Sequence, residues 1–201
     1  MKQQISVFKI CLLGLAVCIN LLGGQLALIL RLPIYLDSIG TMMIGALCGP
    51  IYGMLPNLLS GVILGMTTDI YSLYFAPVGM IVGLMSGLVW RCRSQARWWP
   101  AAAALFITVP GTVLSSLICA KLFGGITSSG STVLVQLLAR TPLGMTAGVF
   151  AVQIVTDYLD RLISLMLVIR LLQILPDHVL RKVREADLGR RQHVSRQGAG
   201  K

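Results

Sequence analysis

Long, uninterrupted apolar runs constrain the fold of this chain more than any other feature of its sequence. The first run extends from about Phe8 to Leu30, and similar runs recur as far as Pro176. About twenty apolar residues are enough for a helix to cross a bilayer. Strands of a transmembrane barrel would instead alternate apolar and polar residues, which these runs do not do. Because a helix satisfies its own backbone hydrogen bonds in lipid, the pattern predicts an all-α integral membrane protein.

The charged residues agree with this class and argue against nucleic-acid binding. Only 12% of the 201 residues are charged, 56% are hydrophobic, and the mean hydropathy is +0.82. Soluble domains are usually about a quarter charged. The formal net charge is +10, but the basic residues concentrate at the chain start, in the segment Arg91–Arg97 and in the tail from Arg170. Basic residues near the ends of membrane helices report topology, so the sequence does not predict a nucleic-acid partner.

The sequence predicts six transmembrane helices within residues 1–176, followed by a basic cytoplasmic tail, 177–201, without fixed structure. The predicted helices are Phe8–Leu30, Ser38–Gly49, Met54–Thr67, a fourth that follows a polar connection over Thr67–Pro77 and ends near Trp90, Ala101–Phe123 and Asp157–Pro176. The segment Thr132–Thr156 stays open between an extra span and a helical excursion at the outer surface, so seven helices are the alternative. The first run has no prompt cleavage site and is interpreted as a retained helix.

The basic segments predict the orientation of these helices. With a cytoplasmic N-terminus, six spans put Lys2, the segment Arg91–Arg97 and the tail on the cytoplasmic side. A seventh span would move the basic tail outside, which favours six. Trp98 and Trp99 fit an interfacial anchor beside the basic segment. The expected location is therefore the cell membrane, with several crossings and both termini in the cytoplasm.

Glycines recur at every fourth residue in three parts of the sequence. They are Gly79, Gly83 and Gly87 in the fourth helix, Gly45, Gly49 and Gly53 around the turn between the second and third helices, and Gly61 with Gly65 in the third helix. Small residues at this spacing let helix backbones approach closely. The spacing favours packing between helices of this chain over contact with a partner.

Four of the seven acidic residues are predicted to meet at the outer face of the bundle. Asp37 lies between helices 1 and 2, Asp69 between helices 3 and 4, and Asp157 and Asp160 at the head of the last helix, beside Arg161. Charge in or near the hydrocarbon is costly, which makes these residues candidates for function. For Asp37 the alternative is an N-cap of the second helix, and the two roles can coexist.

Uncharged polar and aromatic residues extend this candidate site. Asn57 lies inside the third helix, where its amide can bind a ligand or join two helices. Tyr71, Tyr74 and Phe75 can stack on a planar ring, with an interfacial aromatic belt as the equally weighted alternative. The predicted substrate-binding residues are Asp37, Asn57, Tyr71, Tyr74, Asp157, Asp160 and Arg161.

Enzyme and metal-site motifs are absent from the sequence. It contains no phosphate loop of the form G-x-x-x-x-G-K-[ST], no H-E-x-x-H and no G-x-S-x-G. Both histidines, His178 and His193, lie in the tail, and the five scattered cysteines form no C-x-x-C pair. The sequence therefore predicts a protein that is not an enzyme, without a cofactor or a metal site. An intramembrane enzyme that uses only carboxylates stays an alternative, which the predicted place of Asp157 and Asp160 at a helix end disfavours.

Two stretches of the sequence together resemble a known family of membrane proteins. The first is "LPIYLDSIGTMMIGALCGPIYG" followed by "LPNLLSGVILG", and the second is "TDYLDRLISLMLVIRLLQILP". They resemble the substrate-binding (S) components of energy-coupling factor (ECF) transporters, which import vitamins and other micronutrients. The resemblance covers about Ala16–Gly87 and Asp157–Pro176. Asp160-Arg161 stands where the family often has Asp-Lys, a change that alters the geometry of the donor.

The resemblance implies a fold, a function and partners. It implies six helices around a pocket that opens outward, covered by the connections between helices 1–2, 3–4 and 5–6. It implies a binding subunit of an ABC importer for a vitamin or related micronutrient, working with a transmembrane coupling (T) subunit and two cytosolic ATPases. Small residues of helix 1 contact the T subunit in the family, and Ala16 and Asn20 are the nearest match here.

Two other functions compete with this one, and the substrate stays open. The main alternative is a standalone secondary transporter or channel for a small polar solute, which inverted repeats would favour. A membrane scaffold without a ligand is the third. Acidic and basic groups beside aromatic residues fit a small polar heteroaromatic ligand, such as a vitamin or its precursor, without selecting one.

Overall fold

The computed structural model describes residues 7–124, 135 and 144–176, and these form an all-helical bundle. The helices are α1 (Val7–Ile29), α2 (Ile39–Cys48), α3 (Pro50–Thr67), α4 (Ile70–Arg91), α5 (Trp99–Phe123) and α6 (Gly144–Ile174), and these described residues contain no strand. The predicted all-α class is confirmed. Three of the helices, α1, α4 and α5, are long and apolar enough to cross a membrane, as expected of a membrane protein. The predicted tail, 177–201, lies outside the described residues.

The last helix is longer than the sequence predicts. It runs without a break for 31 residues from Gly144 to Ile174. Asp157, Asp160 and Arg161 therefore lie in its middle, and their predicted place at its head is wrong. Thr156-Asp157 has the composition of a helix start, but the apolar pattern of the residues before it continues the helix. Residues 144–156 of the open segment thus belong to α6, while 132–134 and 136–143 lie outside the described residues.

A single residue separates α2 from α3. Gly49 has a φ of +88°, a backbone conformation that favours glycine, and Pro50 begins α3 at a position where a missing N–H costs nothing. The predicted turn over Gly49–Gly53 is thus confined to its first residue. A Cβ on Gly53 would lie 2.9 Å from the Cα of Gly45, so the two helices fold back on each other as a hairpin.

Glycines hold α3 and α4 in close antiparallel contact, as their spacing predicts. A Cβ on Gly83 would clash with the backbone of Gly53, and one on Gly61 would lie 3.1 Å from the carbonyl oxygen of Ser72. The contact continues along the pair, because a Cβ on Gly65 would lie 2.9 Å from the backbone nitrogen of Leu73. Since only Thr68 and Asp69 separate the two helices, the predicted long connection over Thr67–Pro77 is wrong.

The first helix packs against α2 and α3 through small and polar side chains. Ala16 is fully buried, and a Cβ on Gly40 would clash with its backbone. The Asn20 amide nitrogen donates to the Thr41 hydroxyl at 2.8 Å, and its carbonyl oxygen accepts the backbone N–H of Gly40 at 2.8 Å. These bonds fix the start of α2 against the middle of α1, which positions the connection between the two helices.

The apolar core joins the middle of the bundle to the end opposite the site described below. Met42 and Ile44 of α2, Val82 of α4, Ile107 of α5 and Leu165 of α6 have no exposed surface. They belong to one contiguous cluster of buried side chains. The cavity of the candidate site lies at the other end of the bundle.

Candidate functional site

A cavity opens at the end of the bundle where α1 passes into α2 and α3 into α4. It offers about 90 Å³ to the centres of water molecules, several times the room that one water needs. It is lined by Pro33, Ile34, Tyr35, Asp37, Asn57, Ser60, Gly61, Leu64, Ser72, Phe75, Val78, Gly79, Ser115, Gln153, Thr156, Asp157, Asp160 and Arg161. The lining combines apolar walls with a few polar groups, which is typical of sites for small molecules.

The connection between α1 and α2 forms one wall of the cavity. It has no helical structure from Leu32 to Leu36, yet it contacts α1 and α6 inside the bundle. Its Leu36 carbonyl packs on Gly23, where any side chain would clash, and the Leu36 N–H donates to Oδ1 of Asp160 at 3.0 Å. Non-helical backbone among membrane helices is tolerated where protein buries it or where it lines a cavity.

Leu36 has a left-handed backbone conformation that aims the next residue into the cavity. Its φ is +51°, which costs a non-glycine residue about 1–2 kcal/mol. Asp37 follows and lines the cavity, and Ser38 occupies the N-cap position of α2 without a capping bond from its side chain. The alternative interpretation of Asp37 as the N-cap of α2 is therefore wrong.

The middle of α6 contributes a buried ion pair. Asp160 and Arg161 are 3% and 8% exposed, and Nη1 of Arg161 contacts Oδ2 of Asp160. The same Nη1 donates to the Ser38 hydroxyl at 2.9 Å. Nη2 and Nε of the guanidinium make no hydrogen bond to any of the described residues, and Arg161 lines the cavity. Arg161 therefore keeps donors available on a side chain that the bundle holds in place.

One turn earlier, α6 is joined to α5 by polar contacts. The Thr112 hydroxyl donates to Oδ2 of Asp157 at 2.7 Å, and the Ser115 hydroxyl donates to Oε1 of Gln153 at 3.1 Å. Gln153, Asp157 and Asp160 recur at helical spacing and share one face of α6. These contacts fix one face of the cavity.

Asn57 is a buried amide without a partner in the described chain. It is 4% exposed, and its side chain lies over Gly79, where any Cβ would overlap it. No hydrogen bond joins its side chain to another of the described residues, and it lines the cavity. Its polar atoms face the cavity, where water or a ligand can satisfy them. The Asn57 amide is therefore available to a ligand.

The electrostatics of the cavity are dominated by carboxylates. Asp37, Asp157 and Asp160 face a single guanidinium, that of Arg161. Burial raises the pKa of Asp37, in the connection outside the helices, from 3.8 to about 6, although the nearby Arg161 acts in the opposite direction. Among residues 7–124, 135 and 144–176, no group of three His, Cys, Asp or Glu side chains could hold a metal ion.

The structure brings five of the seven predicted binding residues to this cavity. They are Asp37, Asn57, Asp157, Asp160 and Arg161. Tyr71 and Tyr74 are not among its lining residues, and both rings pack edge-on against Phe123 at centroid distances of 4.8 and 5.2 Å. Phe75, the third aromatic residue considered for stacking on a ring, does line the cavity.

Some lining residues escaped prediction. Ser60, Ser115 and Gln153 are ordinary polar residues of apolar helices, and only their helical spacing from Asn57, Thr112 and Asp157 could have drawn attention to them. On α3, Ser60 lies three residues after Asn57. That spacing puts both residues on the face that α3 turns to the cavity.

The residues predicted to contact a partner lie inside the bundle. Ala16 and Asn20 have no exposed surface, and Asn20 is held by its two hydrogen bonds to α2. The exposed small residues of α1 include instead Gly14, with no atom within 4 Å of a Cβ built on it, and the cysteines three residues before and four residues after it, Cys11 and Cys18.

Comparisons of the chain with known proteins found no similar protein. No family model, no curated protein and no solved structure matches the chain.

Proposed function

We propose that this chain is the membrane-embedded substrate-binding subunit of an ECF-type ABC importer for a vitamin or related micronutrient. It binds its ligand with high affinity and works with a separate T subunit and two cytosolic ATPases. The observation that carries the proposal is the cavity, in which Asn57, Arg161 and Asp37 present polar groups without full protein partners. A filled helical bundle would have no reason to keep such groups buried and available.

The resemblance of the sequence to S components supports the same function. The motif "LPIYLDSIGT" supplies the cavity wall from Pro33 to Asp37, and the "DYLDR" stretch supplies Asp157, Asp160 and Arg161. The two stretches that carry the resemblance are thus joined in one site, through the bond from Leu36 to Asp160. Two matching motifs that meet at a cavity support the family more than either motif alone.

In the proposed arrangement, six helices are embedded in the cell membrane and both termini are cytoplasmic. The cavity then opens outward, and the ligand enters between the α1–α2 and α3–α4 connections. The exposed face of α1 around Gly14 and Cys18 replaces Ala16 and Asn20 as the contact with the T subunit, because small exposed residues at this spacing let a second helix approach. ATP hydrolysis by the two ATPases then drives release of the ligand inside.

Uptake in reconstituted vesicles tests this function against the alternative of a standalone transporter. The full chain is reconstituted alone and with an ECF T subunit and its two ATPases, and uptake of labelled B vitamins is followed with and without ATP. We expect uptake only in the complete complex and only with ATP. Uptake by the chain alone, driven by an ion or solute gradient, would instead identify a secondary transporter or channel.

A further inference from the structure

The carboxylates of the cavity outnumber its cationic groups, which restricts the ligand. Three carboxylates and one guanidinium give the lining a formal charge of −2. Asp160 already neutralises Arg161 through the ion pair. Asp157 and Asp37 are therefore left without a cation of their own. An anionic ligand in this cavity would be repelled by the uncompensated charges of Asp157 and Asp37. This repulsion is strong where water is excluded.

The hydrogen bonds of the three carboxylates single out Asp37. Asp160 accepts the Leu36 N–H and the Arg161 guanidinium, and Asp157 accepts the Thr112 hydroxyl. The Asp37 carboxylate accepts only its own backbone N–H, and no hydrogen bond joins it to another of the described residues. It is thus the carboxylate of the cavity with the most acceptor capacity left for a ligand.

Asn57 is an independent indication that a ligand belongs here. The residue is 4% exposed and lines the cavity, and its side-chain amide has no hydrogen-bond partner among the described residues. An amide both donates and accepts, so it can orient a ligand but cannot neutralise a charge. Asp37 and Asn57 together offer a charged and a neutral acceptor to the same small molecule.

We propose that the ligand of this cavity is an organic cation, a protonated amine or a positively charged ring, whose charge is met by the Asp37 carboxylate. This inference rests on the proposed function, whose substrate class it specifies. An inorganic cation fits less well, because no three potential metal ligands meet within the part of the chain that the structure describes. Phe75 supplies an aromatic wall beside these groups, and such a ring attracts a cation placed over its face.

The binding of a cation should also depend on pH. Burial raises the pKa of Asp37 to about 6, and the charged groups that act on it are Arg161, Asp160 and Asp157, all from α6. Among the described residues, those of α3 and α4 that line the cavity carry no charge. On α1, Gly24 lies next to Asp37 and adds no charged group either. Protonation of Asp37 removes the charge that the cation needs. Affinity should therefore fall up to tenfold for each pH unit below about 6 and stay nearly constant above it.

The test compares ligands that differ in charge but share a ring system. Thermal unfolding of the purified full chain is measured with pyridoxamine against pyridoxine and 4-pyridoxate, and with 7-aminomethyl-7-deazaguanine against 7-cyano-7-deazaguanine. Thiamine serves as a permanently charged cation, and pantothenate, nicotinate and biotin serve as anions. We expect the stabilising compound to be cationic and to bind at least tenfold more tightly than its neutral or anionic counterpart.

Matched substitutions then assign the charge recognition to Asp37. Asp37→Asn should weaken binding of the cation at least tenfold while changing the binding of neutral compounds less than threefold. Asp177→Asn makes the same chemical change in the predicted tail and should leave both unchanged. Tightest binding of a neutral or anionic vitamin, or an Asp37→Asn variant that binds the cation as wild type does, would overturn the cation assignment and leave the importer function standing. No stabilisation by any compound would count against both proposals.

Discussion

The substitution Asp37→Asn should make the ligand-free protein more stable above pH 6, although it removes a charged group from the proposed site. The carboxylate is held in the cavity at a net disadvantage, because burial raises its pKa more than Arg161 lowers it. Its pKa is about 6 in the folded chain and 3.8 in the ordinary unfolded environment. Each pKa unit is worth about 1.4 kcal/mol, so ionised Asp37 costs the fold up to about 3 kcal/mol.

The sign of the pH dependence follows from these two values. Below about pH 4 the carboxyl is protonated in both states and costs nothing. As the pH rises from about 4 to 6, the unfolded chain ionises Asp37 first, so the stability of the wild type falls. Above about 6 both states are ionised, and the loss stays constant. An asparagine does not titrate, so its advantage over the wild type should appear within this window and then persist.

Thermal unfolding in detergent between pH 4 and pH 8 measures this difference. Because 1 kcal/mol shifts the melting temperature of a chain of this size by about 2–4 °C, the variant should melt up to about 6–12 °C above the wild type at pH 8, relative to their difference at pH 4. The other buried carboxylates are common to both proteins, so the difference between the two pH curves reports Asp37 together with its coupling to Asp157, Asp160 and Arg161. Asp177→Asn, in the predicted tail, is the control. A variant no more stable at pH 8 than at pH 4, relative to wild type, would refute the electrostatic reasoning.

Three further experiments test the packing and the polar contacts. Gly83→Ala should lower the stability by about 1–3 kcal/mol, since its Cβ meets the backbone of α3. In the control Gly14→Ala the new Cβ meets no atom, and the stability should change by no more than about 1 kcal/mol. Equal melting temperatures of the two variants would contradict the close helix contact. Asn20→Leu should destabilise the isolated chain by about 1–3 kcal/mol for each polar group left unpaired, whereas a residue that only contacts a partner would leave its unfolding unchanged. Arg161→Ala should cost about 3–5 kcal/mol by leaving Asp160 unpaired, and adding Asp160→Asn should recover part of that loss; a double variant less stable than the single one would contradict this.

Much of the fold and part of the site could be predicted because they depend on patterns within single segments of the sequence. The four-residue spacing of Gly79, Gly83 and Gly87 predicts a close contact with another helix, whichever helix that is. In the structure this helix is α3, and the contact extends to its first residue, Pro50. Asp160 and Arg161 are costly in an apolar helix, so their involvement in a polar site follows from their position alone. Such predictions need no knowledge of which helices are neighbours.

The errors come from features that depend on neighbouring elements. The sequence predicts a polar and aromatic connection over Thr67–Pro77 and therefore places Tyr71 and Tyr74 at the site. Since α4 already begins at Ile70, helical periodicity instead turns Ser72, Phe75 and Gly79 towards the cavity. The two tyrosines face Phe123 on α5, a contact that the sequence does not reveal.

Asn20 illustrates the same limit for the proposed partner surface. A small or polar residue on a membrane helix fits the bundle interior as well as a partner surface. Its two bonds to the start of α2 join residues about twenty positions apart, and no local pattern predicts that register. The exposed positions of α1 could be identified only once α2 and α3 were in place.

The most direct measurement of the proposed binding role is a thermal-shift panel of B vitamins and their precursors on the purified chain, repeated with Asn57→Leu. Because the Asn57 amide has no partner in the described chain, the substitution should cost little stability but should weaken binding at least tenfold. A ligand at a hundred times its Kd stabilises by about 2.7 kcal/mol, which raises the melting temperature by about 5–10 °C. One compound that produces this shift at micromolar concentration in the wild type, and a much smaller one in the variant, is the predicted result. No shift with any compound, or the same shift in both proteins, would contradict a ligand site in this cavity.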